Sequence, residues 1–179
     1  MNDISLHIMD IVENSIRAEA TNVSVTIEAS TADNILSIEI QDNGKGMDEA
    51  QLRLCEDPFY TTKSCKKTGL GISLFKHSAL EANGAFSITS GEGKGTVMRA
   101  TFQYDHIDRK PLGDLAKTLY LLIAAFPAVD FQFTCRKDAR SFRVDTREIR
   151  KELEDIPISS PDVLKILRGY ITEGIASVG

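Results

Sequence analysis

Apolar residues recur along this chain with two periods, and the switches between them mark its elements. Ile4, Ile8, Ile11 and Val12 fall at helical spacing, which predicts a helix over residues 3–18, started by Asp3 or Ser5. VSVTIE (23–28) and ILSIEI (35–40) alternate with period two and predict strands joined by a turn at 31–34. Asn43-Gly44 closes the second strand as a hairpin signal, yet no returning strand follows. Instead Asp48 stands three residues before Gln51, a capping-box spacing, and EAQLRL continues as a helix. Beyond the polar stretch DPFYTTKSCKKT, residues 69–82 predict a helix entered through glycines and stopped at Asn83-Gly84. AFSITS and GTVMRATF then alternate as two strands, with Gly91, Gly93 and Gly95 between them.

This order predicts an α+β layer arrangement over residues 1–104, with helices packed on one face of a mostly antiparallel or mixed sheet. Residues 105–179 read as a small α+β extension. YDHIDRKP is a connector, and a helix over 112–126 buries Leu115, Leu119, Leu122, Ile123 and Phe126. FQFTC and SFRVD form a hairpin around Lys137-Asp138, and two helices follow at 145–155 and 161–177, the second entered through Ser160-Pro161. Neither an internal repeat nor a low-complexity tract is present.

Composition narrows the partners. The 179 residues are 42% hydrophobic and 26% charged, ordinary for a globular protein. A net charge of -5 speaks against a nucleic-acid surface, which is normally basic. Cys55, Cys65 and Cys135 are widely spaced and odd in number, so no disulfide framework or metal-ligand pair is expected. MNDISLHIMD lacks the basic and apolar regions of a signal peptide, and the longest apolar run, Leu119 to Phe126, is too short to cross a bilayer. A cytoplasmic protein with no membrane contact is expected.

Four segments carry candidate chemistry. HIMDIVENSIRA (7–18) sets His7, Asp10, Asn14 and Arg17 at spacings of three and four, so they form one polar stripe on the helix; its plainest role is a solvated face. The others are DNGKGM (42–47), DPFYTTK followed by TGLGIS, and GEGKGTV (91–97). Single glycine clusters mark turns everywhere. Gly69-Leu70-Gly71 opening a helix says more, because it offers free N–H groups and a positive dipole end to an anion.

In this order and spacing the four segments resemble the boxes of the GHKL ATPase superfamily, which includes gyrase-type topoisomerases, Hsp90-type chaperones, histidine kinases and MutL mismatch-repair ATPases. The resemblance covers residues 7 to about 102. IVENSIRAEATNVSVTIE followed by IEIQDNGKGM looks most like the MutL-type version. DPFYTTK followed by TGLGIS looks like the histidine-kinase version. The resemblance implies a two-layer sandwich of the Bergerat type that binds ATP with Mg²⁺. Asp42 would accept from the adenine amine. Gly44 and Gly46 would let the main chain approach the base, and Met47 would pack on its ring. Asn14 would help hold Mg²⁺. Gly69, Leu70 and Gly71 would offer N–H groups to the phosphates, Lys63 would contact the phosphate tail, and Thr96 would support Asp42 and the adenine through its hydroxyl.

The chain departs from the pattern at Asp10, where many relatives carry a glutamate that acts as general base. Aspartate is shorter by about 1.5 Å, and a base must come within hydrogen-bonding distance of its proton. Asp10 remains the candidate catalytic residue, ahead of Glu13, which lies about 100° around the helix from Asn14. Lys66-Lys67 replace a family glycine and are either phosphate-attracting or a solvated loop. His7 reads as a packing or site residue rather than a phosphoacceptor, His77 and His106 as structural or exposed. Arg17 pairs with either the nucleotide or an acidic neighbour.

The expected function is that of an ATP-binding module without a phosphoacceptor helix of its own, acting on an unidentified protein partner as a kinase or regulatory ATPase. The lid would be Thr61 to Thr68. Two alternatives stand beside it: a nucleotide-controlled binding switch with little chemistry, and a slow ATPase that drives dimer clamping. Residues 105–179 either stabilise the first domain as a further packing layer or dock the partner.

Overall fold

The computed structural model describes residues 3–56 and 70–179. Its elements run α1 (Ile4–Arg17), β1 (Asn22–Ser30), β2 (Ile35–Asp42), α2 (Glu49–Glu56), α3 (Leu70–Glu81), β3 (Phe86–Gly91), β4 (Gly95–Gln103), α4 (Leu115–Ala125), β5 (Asp130–Lys137), β6 (Arg140–Asp145), α5 (Thr146–Leu153) and α6 (Pro161–Val178). Asp3, not Ser5, caps α1: its carboxylate accepts from the Leu6 N–H at 3.0 Å and from the Ser5 hydroxyl at 2.7 Å. The capping box of α2 forms as the spacing predicts. Gln51 N–H donates to the Asp48 carboxylate at 2.7 Å, and Asp48 N–H to the Gln51 side chain at 3.1 Å.

The six strands make one mixed sheet in the order β3-β4-β2-β1-β5-β6. Every pairing is antiparallel except that of β1 with β5, which run parallel. Strand residues alternate between two faces. Val23, Val25, Ile27, Leu36, Ile38, Ile40, Met98, Ala100, Phe102, Phe131 and Phe133 are buried under the helices. The opposite face carries Ser24, Thr26, Ser37, Gln41, Gln132 and Thr134, with Arg99 paired to Glu39 and Arg136 to Glu28. A sheet polar on one side and apolar on the other takes helices on the apolar side alone, so the protein is an α+β two-layer sandwich.

Residues 105–179 do not fold apart from this sheet. β5 extends it beside β1, β6 forms its edge, and α4 and α6 continue the helical layer next to α1. The core is accordingly one cluster running from Phe75 and Phe102 to Leu167 and Ile171. Among the described residues no helix is long and apolar enough to cross a membrane.

His7 lies within this core at 0% exposure, with its ring centroid 5.6 Å from that of Phe75. It leaves the polar stripe and faces α3, and among the described residues neither ring nitrogen has a hydrogen-bond partner. Burial pushes its pKa down from 6.5 to about 4, helped by the positive charge of Lys110 and opposed by Asp3. Between pH 6.5 and about 4 the unfolded chain therefore binds a proton that the folded chain refuses, so stability falls as pH drops through that window. Urea unfolding at pH 7 and pH 5 is expected to show this loss, and His7→Leu is expected to reduce it. A slope unchanged in the variant would place the titration elsewhere.

Candidate functional site

Asp42 ends β2 on the buried face of the sheet, at 8% exposure. Two groups hold its carboxylate. Ser15 Oγ on α1 donates to Oδ2 at 2.6 Å, and Gly44 N–H donates to Oδ1 at 2.9 Å. An ionised carboxylate has about four acceptor positions. Two are filled from among the described residues, and a further position suits another donor.

Ser15 is the residue that sequence reasoning missed. It continues the spacing of Ile4, Ile8 and Ile11, so it is a polar residue on the buried stripe, at 3% exposure. That position was the available signal, because a buried hydroxyl needs a partner.

The loop after Asp42 is threaded between two other parts of the chain. Asn43 is structural: its side-chain oxygen accepts from Thr21 N–H at 2.9 Å and Asn22 N–H at 2.8 Å. Lys45 N–H donates to the Ala18 carbonyl at 2.8 Å, and Gly93 N–H to the Lys45 carbonyl at 2.7 Å. The glycines owe their identity to these crossings. A Cβ on Gly44 would lie 2.7 Å from the Ala18 carbonyl oxygen. At Gly46, which has φ +69°, it would overlap the Gly91 carbonyl. The space they leave is taken by this chain's own backbone. Met47 is half-buried, with Cys55 Sγ 3.5 Å from its sulfur, and its N–H donates to Ser90 Oγ at 2.9 Å.

Thr96 is the cross-strand partner of Asp42 and is 7% exposed. Its hydroxyl meets Ser90 Oγ at 2.9 Å. Among the described residues, the hydroxyl that bonds Asp42 is that of Ser15. Threonine on β4 points across the sheet toward β3, whereas α1 lies directly over Asp42.

On α1, Asp10 and Asn14 are half-buried and one turn apart. The Asp10 carboxylate occupies the place where a side chain on Gly71 would stand, so α1 and the first turn of α3 are in contact there. Asn14 Oδ1 accepts from Arg17 at 3.2 Å, and Arg17 also pairs with Glu13 at 3.3 Å. Glu13 is thus turned to Arg17, leaving Asp10 as the carboxylate at the head of α3, where the helix dipole favours negative charge. The positions expected at the phosphates and lid, Lys63, Gly69, Lys66-Lys67 and residues 61–68, lie outside the described residues. Leu70 begins α3. His77 is exposed and 3.1 Å from Glu81, and His106 accepts from Asp108 N–H.

The arrangement therefore joins a buried acceptor at the end of β2, a pair of hard oxygen donors on α1, and a helix start facing them. The model of the histidine kinase-, DNA gyrase B- and HSP90-like ATPases matches residues 2–106. Sporulation kinase E of Bacillus subtilis is 37% identical over 102 residues, which cover 56% of this chain and 14% of that protein. The sensor histidine kinase ZraS of Salmonella typhi is 34% identical over 92 residues, covering 50% of this chain and 19% of that protein. This chain thus spans less than a fifth of either kinase. Among solved structures, the Aquifex aeolicus MutL ATPase domain complexed with ADP matches with a TM-score of 0.52 at 16% identity, over 86% of this chain and 68% of that one. The N-terminal domain of a DNA repair protein matches with a TM-score of 0.53 at 17% identity, over 81% of this chain and 52% of that one. Coverage of 86% is reached only when the fold match runs past residue 106. The family match over more than half the chain, on a fold shared with the MutL ATPase domain, identifies this protein as a member of the histidine kinase-, DNA gyrase B- and HSP90-like ATPase family.

Proposed function

We propose that this protein is a cytoplasmic Mg-ATP-binding module of the histidine-kinase type that acts on another protein, as a kinase or as a regulatory ATPase. Asp42 carries the reading. A carboxylate so buried, held by Ser15 and Gly44 with acceptor capacity left over, suits the exocyclic amine of adenine. Residues 1–104 would form the nucleotide domain, with Met47 and Thr96 beside the base and Gly71 at the phosphates. Residues 105–179 would support it through the shared sheet and offer a surface to the partner.

The residues fit a magnesium ion held chiefly by the nucleotide. Among the described residues no group of three or more His, Cys, Asp or Glu side chains could cage a metal. Magnesium characteristically keeps waters and binds through substrate phosphates and one or two protein oxygens. Asn14 Oδ1 is such an oxygen, half-buried on α1. Bound there, the ion would neutralise the triphosphate. Asn14 would orient it, and Asp10 would stand as the carboxylate nearest the transferred group, able to take a proton from an attacking hydroxyl.

A second reading, the nucleotide-controlled switch, is favoured by the placing of Asp10. Its short side chain rests against Gly71 rather than reaching outward. Incubation with γ-labelled ATP and cell extract separates the two. A labelled partner supports transfer. Tight ATP retention with neither transfer nor phosphate release supports the switch. Absence of ATP binding overturns both.

A further inference from the structure

Ser90 sits at the far end of this site, and its hydrogen bonds decide what Thr96 can offer a ligand. A serine hydroxyl has one proton and two acceptor lone pairs. Ser90 Oγ accepts from Met47 N–H at 2.9 Å and donates to the Gly95 carbonyl at 3.0 Å. Either hydroxyl can donate in the 2.9 Å contact with Thr96 Oγ1, but this contact and the one to the Gly95 carbonyl are both hydrogen bonds only when the Thr96 proton makes it. We propose that Ser90 is a positioning residue that fixes Thr96 as an acceptor toward the ligand, so that Asp42 and Thr96 together select a purine with an amino group at C6 over one with an oxo group. The inference rests on the adenine-nucleotide reading of the site and adds to it the residue that sets the polarity of one wall.

The geometry favours this division of labour. Asp42 and Thr96 are directly paired on neighbouring strands and share the buried face, at 8% and 7% exposure. Side chains so paired stand within about 5.5 Å of each other at Cβ. An amino group brings two N–H donors to two adjacent acceptors. An oxo group brings lone pairs to the same place, where the Thr96 proton is turned away to Ser90 and the Ser15 proton is held by Asp42. Removing the Ser90 hydroxyl frees the Thr96 proton to donate to an oxo group.

Calorimetric titration of the full chain with ATP and with ITP tests the proposal, since the two differ at C6 and in the attendant N1 proton. Ser90→Ala is expected to lower the ATP-to-ITP affinity ratio by about three- to tenfold, the size of one hydrogen bond. Ser90→Thr, which keeps the hydroxyl, is expected to restore it. Should Ser90→Ala fold poorly, Thr96→Val serves in its place, because it removes the acceptor and lowers the ratio by weakening ATP alone. If Ser90 served only to anchor the Met47 loop, both nucleotides would weaken together in Ser90→Ala, and that unchanged ratio overturns the proposal. Wild-type protein that binds neither nucleotide removes the adenine reading itself, and this inference with it.

Discussion

Asp42→Asn is expected to weaken ATP binding at least about tenfold, because a hydrogen bond to a charged group is worth roughly 1.5–3 kcal/mol. The carboxylate has to accept from three directions. Ser15 Oγ arrives at Oδ2, Gly44 N–H at Oδ1, and the proposed amine needs a further lone pair. An asparagine has one oxygen and one NH₂ group, so whichever way it turns, the NH₂ meets another donor. Facing Gly44, it opposes an N–H that cannot rotate. Facing Ser15, it forces that hydroxyl back to the Ile11 carbonyl, 3.3 Å away. The substitution changes no volume, so a thermal midpoint near that of the wild type would confirm that the loss is local. Calorimetry giving the wild-type affinity would remove Asp42 from the base pocket.

Gly95→Ala is expected to have a large effect on stability, a loss of about 2–4 kcal/mol in urea unfolding, well above the usual point mutation. Gly95 has φ +74°, and a methyl group on it would overlap the Asp42 carbonyl oxygen and stand 2.9 Å from Asn43 Cα. Both neighbours are main chain in the middle of a paired strand end, so neither can move without breaking the β2–β4 ladder. Gly93 supplies the control. Its φ is +70°, yet a methyl group there meets nothing within 4 Å. Gly93→Ala thus carries the conformational cost alone, about 1 kcal/mol. If the two variants lost equal stability, the close approach of β4 to Asp42 would not be what holds position 95 to glycine. Because that approach also sets the backbone of Asp42, Gly95→Ala is expected to lose ATP affinity as well.

Much of the local structure was legible because its causes lie within a few residues. The Asp48–Gln51 box, the stop of α3 at Asn83-Gly84 and the Pro161 start of α6 are settled by neighbouring backbone groups. Alternation fixed which strand residues face the core, and the helical spacing of Ile4, Ile8 and Ile11 fixed the buried side of α1. The expected positions of Asp42, Asn14 and Gly71 came from a resemblance; in the fold Ser15 of α1 reaches Asp42 at the end of β2, and Asp10 of α1 meets Gly71 in the first turn of α3.

What periodicity could not reach is each contact made across long stretches of chain. Spacing placed His7 on a polar stripe with Asp10, Asn14 and Arg17, but α3 packs over that edge of the helix and buries it against Phe75. The glycines of the Asp42 loop read as letting the main chain approach a base, and nothing local showed that a Cβ on Gly44 or Gly46 would also meet the Ala18 or Gly91 carbonyl. Ser90 ended a strand with no local reason to matter until β3, β4 and Met47 converged on its hydroxyl.

By itself, then, the sequence determined the kinds of the described elements, the apolar faces of the strands and of α1, and the residue types available at the Asp42 end, while the bounds shifted by up to three residues, as where α4 starts at Leu115 rather than at 112. Only the tertiary structure decided that β5 lies parallel to β1 and carries residues 105–179 into the same sheet, and that Ser15 bonds the Asp42 carboxylate. The reason is physical. Caps and periodicity act between residues a turn apart, whereas strand order and hydrogen-bond partners depend on which distant surfaces bury the most apolar area together, and no short stretch of chain records that.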